Sequence, residues 1–283
     1  MTTLAPTAPA VALASPAALL RELFRREPLF AATALLLVLA IVPIFAAGLV
    51  DPRLFNGVPI WEKPLKFAIA LAVYMATLAW FAGWLPKGTT TKRWYRWYSA
   101  IVVICIAGEM AWIGGAAANG TGSHFNVATP AMSVIYGLMG AFAVTLTSAS
   151  LVYGILIHRN GANGLSPAFR LSVSSGLVLT FVLTVLVAGF MSSNGGHWVG
   201  GNPSDAEAAA LMGWARDGGD LRVAHFFATH AMHFIPAFGL VSALLFSATD
   251  RRPVMAFAAL FTAFSLYTFF EALAGRPFLP GLL

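Results

Sequence analysis

The stretch LFAATALLLVLAIVPIFAAGLV, residues 29–50, holds 22 residues with no charge and no histidine among them. As a helix it would be about 33 Å long, enough to cross a hydrocarbon core of roughly 30 Å. It has no polar face to offer water, so it reads as a membrane span or a deeply buried core helix. Six further apolar runs decide between these, near residues 64–85, 97–118, 131–157, 169–192, 223–247 and 253–275. Each has the length of a span, and Pro28, Pro64, Pro130 and Pro253 stand where a helix start tolerates a missing N–H. The expected fold is an all-α polytopic bundle of seven transmembrane helices, with the lipid bilayer as its surroundings.

Composition agrees. Hydrophobic residues make up 59% of the chain and charged residues 10%, with a mean hydropathy of +0.78. A soluble domain carries roughly 25% charged residues, so this chain lacks the charge to cover a water-facing surface. Residues 1–18 are rich in Ala, Pro and Thr and uncharged, and read as a disordered tail before a membrane domain over 19–283. Arg21, Arg25 and Arg26 then precede the first long run in the manner of an uncleaved signal anchor. The single cysteine, Cys105, excludes an intramolecular disulfide and leaves the redox compartment open.

The net charge of +6 is explained by topology rather than by nucleic acid. With the N-terminus in the cytoplasm and the C-terminus outside, the inner segments carry 11 of the 17 basic residues and the outer segments 6. The excess follows the positive-inside rule. Reversing the orientation would export the basic stretch Lys87–Arg96, whose neighbours Trp94, Tyr95, Trp97 and Tyr98 form an interfacial aromatic belt. A bacterial-type inner membrane is the expected location. One outer connection, 193–222, is about 30 residues long, where loops beyond 12–15 residues are usually functional or disordered. Its segment Ser204–Trp214 begins with a capping-type serine and reads as a short interfacial helix.

Under this topology five of the six histidines lie on the outer side: His124, His197, His225, His230 and His233. His158, beside Arg159, reads as a solvated inner residue. On the helix over 223–247, His233 lies about 80° and His230 about 140° around the axis from His225, with Arg222 and Thr229 between. Ionisable side chains at membrane depth face the bundle interior. Glu109 sits about eight residues below the outer end of its helix, at the depth of His230, and needs a proton, a partner or a metal there. Arg222 is the expected anion partner or charge balance for Glu109. Glu271, Glu62, Lys63 and Lys66 stand near enough to the outer end to join.

Ser123-His-Phe-Asn126, followed by Gly219-Asp-Leu-Arg-x-x-His-Phe-x-x-x-His-Ala231, resembles a family of uncharacterised bacterial multi-pass membrane proteins. The resemblance spans about Glu109 to Pro236 and implies a shared outer site with no stated activity. It marks Glu109, His124, Asn126, His197, Asp220, Arg222, His225 and His230, and omits His233. Other seven-helix families fit poorly. Zinc amidohydrolases of the alkaline ceramidase type use a His-x-x-x-His pair on the last helix, absent here, and microbial rhodopsins need a lysine that 253–275 lacks.

Four readings follow. The leading one is a haem b or transition-metal site for redox chemistry, with metal donors among His225, His230, His233 and Glu109. In it His124, Asn126 and His197 close the site from the loops, and Glu109, Arg222 and His230 carry the chemistry. A proton-coupled transporter or channel would use the same side chains as a relay. A membrane metal-dependent hydrolase would recruit them around zinc. A hydrogen-bonded cluster that fixes helix packing is the fourth. The small-molecule substrate or redox partner is not specified by the sequence.

Overall fold

Before the first span, Ser15 and Pro16 supply an N-cap and an N1 proline, and leucines follow at helical spacing. In the computed structural model, which describes residues 15–209 and 212–279, they start α1 (Pro16–Arg26), with the Ser15 side chain accepting from the Ala18 amide. The expected tail over 1–18 is therefore corrected at 16–18, and its residues 1–14 lie outside the described part. Glu22 pairs with Arg25 at 2.6 Å and Arg26 at 2.7 Å, one turn away. Leu19, Leu20 and Phe24 are exposed on the same helix, so α1 is amphipathic and suited to lie in the interface plane.

Seven long helices follow, each apolar and long enough to cross a membrane: α2 (Pro28–Val50), α3 (Glu62–Phe81), α4 (Arg93–Ala118), α5 (Pro130–Arg159), α6 (Pro167–Ser193), α7 (Leu221–Leu245) and α8 (Arg252–Leu273). The protein is an all-α multi-pass membrane bundle. Its starts are chemically marked: Thr129 and Ser166 cap α5 and α6 from the residue before an N1 proline, and Asp220 caps α7. Lipid-facing positions keep large side chains exposed, such as Leu36, Leu39, Val42 and Leu244.

Inside the bundle, small residues let helices approach closely. A Cβ on Gly239 of α7 would stand 2.0 Å from Ser172 Oγ on α6, and one on Gly176 of α6 would stand 2.9 Å from the Ala231 carbonyl. The Met232 amide of α7 donates 2.8 Å to Thr180 Oγ1 on α6, one turn before Pro236, where the α7 backbone ladder lacks a donor.

One end of the bundle carries the charged connections between α3 and α4, α5 and α6, and α7 and α8; this is the basic end. The other, the lid end, carries three covers. A hairpin of β1 (Leu54–Phe55) and β2 (Val58–Pro59) turns at Asn56-Gly57, both at positive φ, the chemistry of a two-residue hairpin turn. Residues 119–129 form the second cover. The third is the long loop 194–220, pinned by the antiparallel pairing of β3 (Trp198–Val199) with β4 (Gly219–Asp220).

The expected interfacial helix over Ser204–Trp214 is not formed among the described residues of that stretch, which run in turns. Its backbone bonds go elsewhere: the Asp205 amide donates to the Asn56 carbonyl at 2.8 Å, the Ala209 amide to the Trp214 carbonyl at 2.9 Å, and Gly213 turns at φ 72°. Ser204 receives the Ala206 amide in a local turn instead of capping a helix. The loop is a lid folded onto the hairpin. Trp214 and Ala209 bury against Val223, Phe226, Phe227 and Phe278 beneath it.

Candidate functional site beneath the lid

Asp220 is 1% exposed, and its carboxylate does several jobs at once. It accepts the Ala215 amide at 2.9 Å and the Arg222 amide at 2.9 Å, capping α7 while tying down the lid. The Arg222 guanidinium closes on it at 2.6 Å, reaches Asp205 at 2.7 Å and donates to the Gly213 carbonyl at 2.5 Å. Burial pushes the Asp205 carboxyl up, but His197, whose Nε2 lies at 3.8 Å, and Arg222 outweigh it and hold the group below its ordinary value. At 3.8 Å the His197 contact is an electrostatic neighbour and not a hydrogen bond. Arg222 is thus a latch between lid and helix, and its charge is already matched by two carboxylates.

Arg222→Ala is therefore expected to loosen the lid first. It leaves Asp220 buried without its cation, a loss of about 2 kcal/mol after allowing for the partial exposure of Arg222. The lid contains one tryptic site, the exposed Arg216. Faster cleavage there, with a lower Tm, is the expected result; unchanged cleavage would show that the latch carries no load.

The cation that faces Glu109 is Lys63. It enters from the first turn of α3, half-buried, among Glu109, Asp205 and Arg222. Other charged groups at the lid end pair with one another: Glu62 with Lys66 at 2.5 Å, Asp51 with Arg53 at 2.7 Å, and Glu271 with Arg276 at 2.5 Å. Glu62, Lys66 and Glu271, which the sequence left as candidates, are thereby bound in surface pairs. Glu109 itself is 3% exposed on α4, and its Oε1 has no partner among the described residues. The group formed by Lys63, Arg222, Glu109, Asp205 and Asp220 holds two cations and three carboxylates. One proton or one monovalent cation would neutralise it.

His124 stands beside this group in the 119–129 cover, its ring 5.4 Å from Phe67 and 6.4 Å from Tyr136, with Ser123 Oγ 3.0 Å from its Nδ1. Burial, with the charges of Lys63 and His225 added, pushes it down to about 3. The unfolded side chain titrates near 6.5, so between these values the unfolded chain binds the extra proton and stability rises with pH. Acidifying from pH 7 to 5 is expected to lose about 2 kcal/mol through this residue. The Tm of His124→Gln should be flatter across that interval; an equal slope would assign the pH dependence elsewhere.

Asn126 has a local task. Its amide donates to Thr121 Oγ1 at 3.1 Å and the Gly122 carbonyl at 2.9 Å, and its oxygen accepts the Ala128 amide at 3.3 Å, which folds its own loop. His197 packs on Trp198 with ring centroids 3.8 Å apart and lies 6.4 Å from Phe125.

Along α7 the histidines descend from the site, at about 6 Å for His225, 13 Å for His230 and 18 Å for His233 below the helix start. His225 Nδ1 and His233 Nδ1 are buried without partners among the described residues. His230 Nδ1 lies 2.8 Å from the Phe226 carbonyl, so that nitrogen carries the proton and Nε2 is left as an acceptor. Its ring stacks on Phe226 at 4.1 Å and stands 5.4 Å from the ring of His233, whose Nε2 is 3.0 Å from Thr77 Oγ1 on α3. Among the described residues no three His, Cys, Asp or Glu side chains gather closely enough to hold a metal ion. The wide angular spread and the staggered depths on α7 account for this: the rings form a descending row rather than a shell. His158, at the basic end, is exposed, with its Nδ1 3.3 Å from Ser174 Oγ.

Lys63, Asp205, Phe67, Tyr136 and Thr77 complete the arrangement. Lys63 was one of several cations at the outer end, and nothing in the spacing singled it out. Asp205 and Tyr136 enter only through tertiary contact. No protein-family model, curated protein or solved structure matches this chain.

Proposed function

We propose that this protein is an inner-membrane proton-coupled transporter or channel whose lid end faces outward and whose lid-covered cluster takes up a proton at Glu109. The orientation draws on the excess of basic residues at the opposite end, 11 against 6, with the N-terminus inside and the C-terminus outside. The observation that carries the reading is Glu109, a buried carboxylate with an unpartnered oxygen, in a group where carboxylates outnumber cations by one. Buried charge of that kind marks ion and proton pathways in membranes. His225, His230, His233 and Thr77 extend it toward the middle of the bundle as groups that can accept and donate a proton in turn.

The test is proton movement in proteoliposomes with a pH-sensitive dye inside. An imposed pH gradient should drive protons across at a rate well above protein-free vesicles. A rate equal to the protein-free control, in both directions of the gradient, would end this reading.

A redox metal or haem is the second reading, favoured by the free Nε2 of His230 and the 5.4 Å separation from the His233 ring. Haem or stoichiometric metal in purified protein, lost in His230→Ala, would support it. Colourless, metal-free protein would remove it.

A further inference from the structure

A third buried carboxylate, besides Glu109 and Asp220, lies at the basic end, in none of the groups described so far. Glu27 is 3% exposed and sits at the N-cap of α2, where its carboxylate accepts the Phe30 amide. Its neighbour in sequence, Arg26, is turned away, bound to Glu22, with its guanidinium 3.9 Å from the centre of the Trp80 ring. No cation among the described residues faces Glu27, and burial pushes its carboxyl up despite the amides of Phe30 and Leu29.

The groups around Glu27 are tyrosines. Tyr95 of α4 and Tyr153 of α5, both fully buried, join hydroxyl to hydroxyl at 2.5 Å, and the Tyr153 ring stacks at 6.2 Å on Phe30, whose amide the Glu27 carboxylate accepts. One turn along α4, Tyr98 bonds Ser148 Oγ at 2.7 Å. Next toward the middle is Tyr74 of α3, which donates to the Leu146 carbonyl at 2.9 Å and stands one turn from Thr77. Thr77 already meets His233. Polar groups therefore recur through the whole thickness of an otherwise apolar bundle, with a buried carboxylate near each end.

We infer that Glu27 is the inner terminus of the proton path, reached from His233 and Thr77 through Tyr74, the Tyr98–Ser148 pair and the Tyr95–Tyr153 pair. This rests on the proposed function. Each hydroxyl passes on its own proton as it accepts the next, and one that rests on a backbone carbonyl, as Thr77 does on Val73 and Tyr74 on Leu146, turns from it and rotates back. Water is able to bridge the longer steps, so nothing is oxidised and each group returns to its starting state. The path ends on a carboxylate able to release the proton to the cytoplasm.

The alternative is that Glu27 only caps α2. Glu27→Gln separates the two, because the amide oxygen still accepts the Phe30 amide while the proton-exchanging carboxyl is gone. Proton flux in proteoliposomes should fall at least about tenfold in Glu27→Gln, with Tm nearly unchanged. Tyr153→Phe, which removes one hydroxyl and keeps the ring, should also slow it and decides the matter if Glu27→Gln does not fold. Wild-type rates in both variants alongside an inactive Glu109→Gln would overturn the inner terminus and leave the proposed function standing. An inert wild-type protein would overturn both.

Discussion

Glu109→Gln is expected to lower proton flux by at least about 100-fold, the scale of removing a positioned acid–base group. The substitution is nearly isosteric, and it takes one negative charge from a group holding two cations and three carboxylates. The remainder, Lys63 and Arg222 against Asp205 and Asp220, is balanced. The variant should therefore fold with a Tm close to wild type, while losing the site that gains and releases a proton. This combination separates function from packing. A packing role alone would leave flux intact, and a damaged fold would lower Tm together with flux.

Gly219→Ala is expected to have the largest effect on stability. An ideal Cβ there would sit 1.9 Å from the Ala272 carbonyl oxygen and 2.7 Å from its carbon. Both atoms are backbone near the end of α8 and cannot swing aside. β4 would have to move away, breaking its pairing with β3 and shifting Asp220, which caps α7 and holds Arg222. Leu221, packed with Phe269 and Ala272, would be displaced with it. The loss should be about 3 kcal/mol or more, the upper range for forcing volume into a packed site. A fall in Tm with rapid tryptic cleavage at Arg216 is the expected result. A wild-type Tm would mean that the strand does not pack against α8 as closely as described.

The spans were legible because their signal is long and local: seven apolar runs with prolines or capping residues at their starts, and each observed helix lies within a few residues of its run. The short α1 was hidden by the uncharged residues before it, although Ser15-Pro16 and the leucine spacing carry its signature. The lid was misread as helical because its composition suits a helix. Its backbone is instead recruited by Asn56, on a hairpin about 150 residues earlier, and no local pattern reports that. The Asn56-Gly57 pair was a readable hairpin signal.

The site was legible in part. Helical periodicity placed Arg222, His225, His230 and His233 on the interior side of α7, and membrane depth singled out Glu109. Pairing was not legible. Arg222 was assigned to Glu109, but Asp220 and Asp205 hold it, because the N-cap geometry of α7 turns the guanidinium back toward the lid. Lys63 takes the place beside Glu109. Tyr95 and Tyr98 read from sequence as part of an interfacial belt, but only Trp94 and Trp97 of that belt are exposed, while Tyr95 is buried on Tyr153 and Tyr98 bonds Ser148. Tyr74, Tyr153 and Glu27 carry no local signal, and only their three-dimensional succession gives the row a joint meaning.

Proton entry at Glu109 is read most directly as the charge moved when the lid-end solution is suddenly acidified, recorded on proteoliposomes adsorbed to a solid-supported membrane. Wild-type protein should give a current with the sign of proton entry, and Glu109→Gln none above background. An equal current in the two proteins, or no current in either, would contradict a proton-accepting role for this carboxylate.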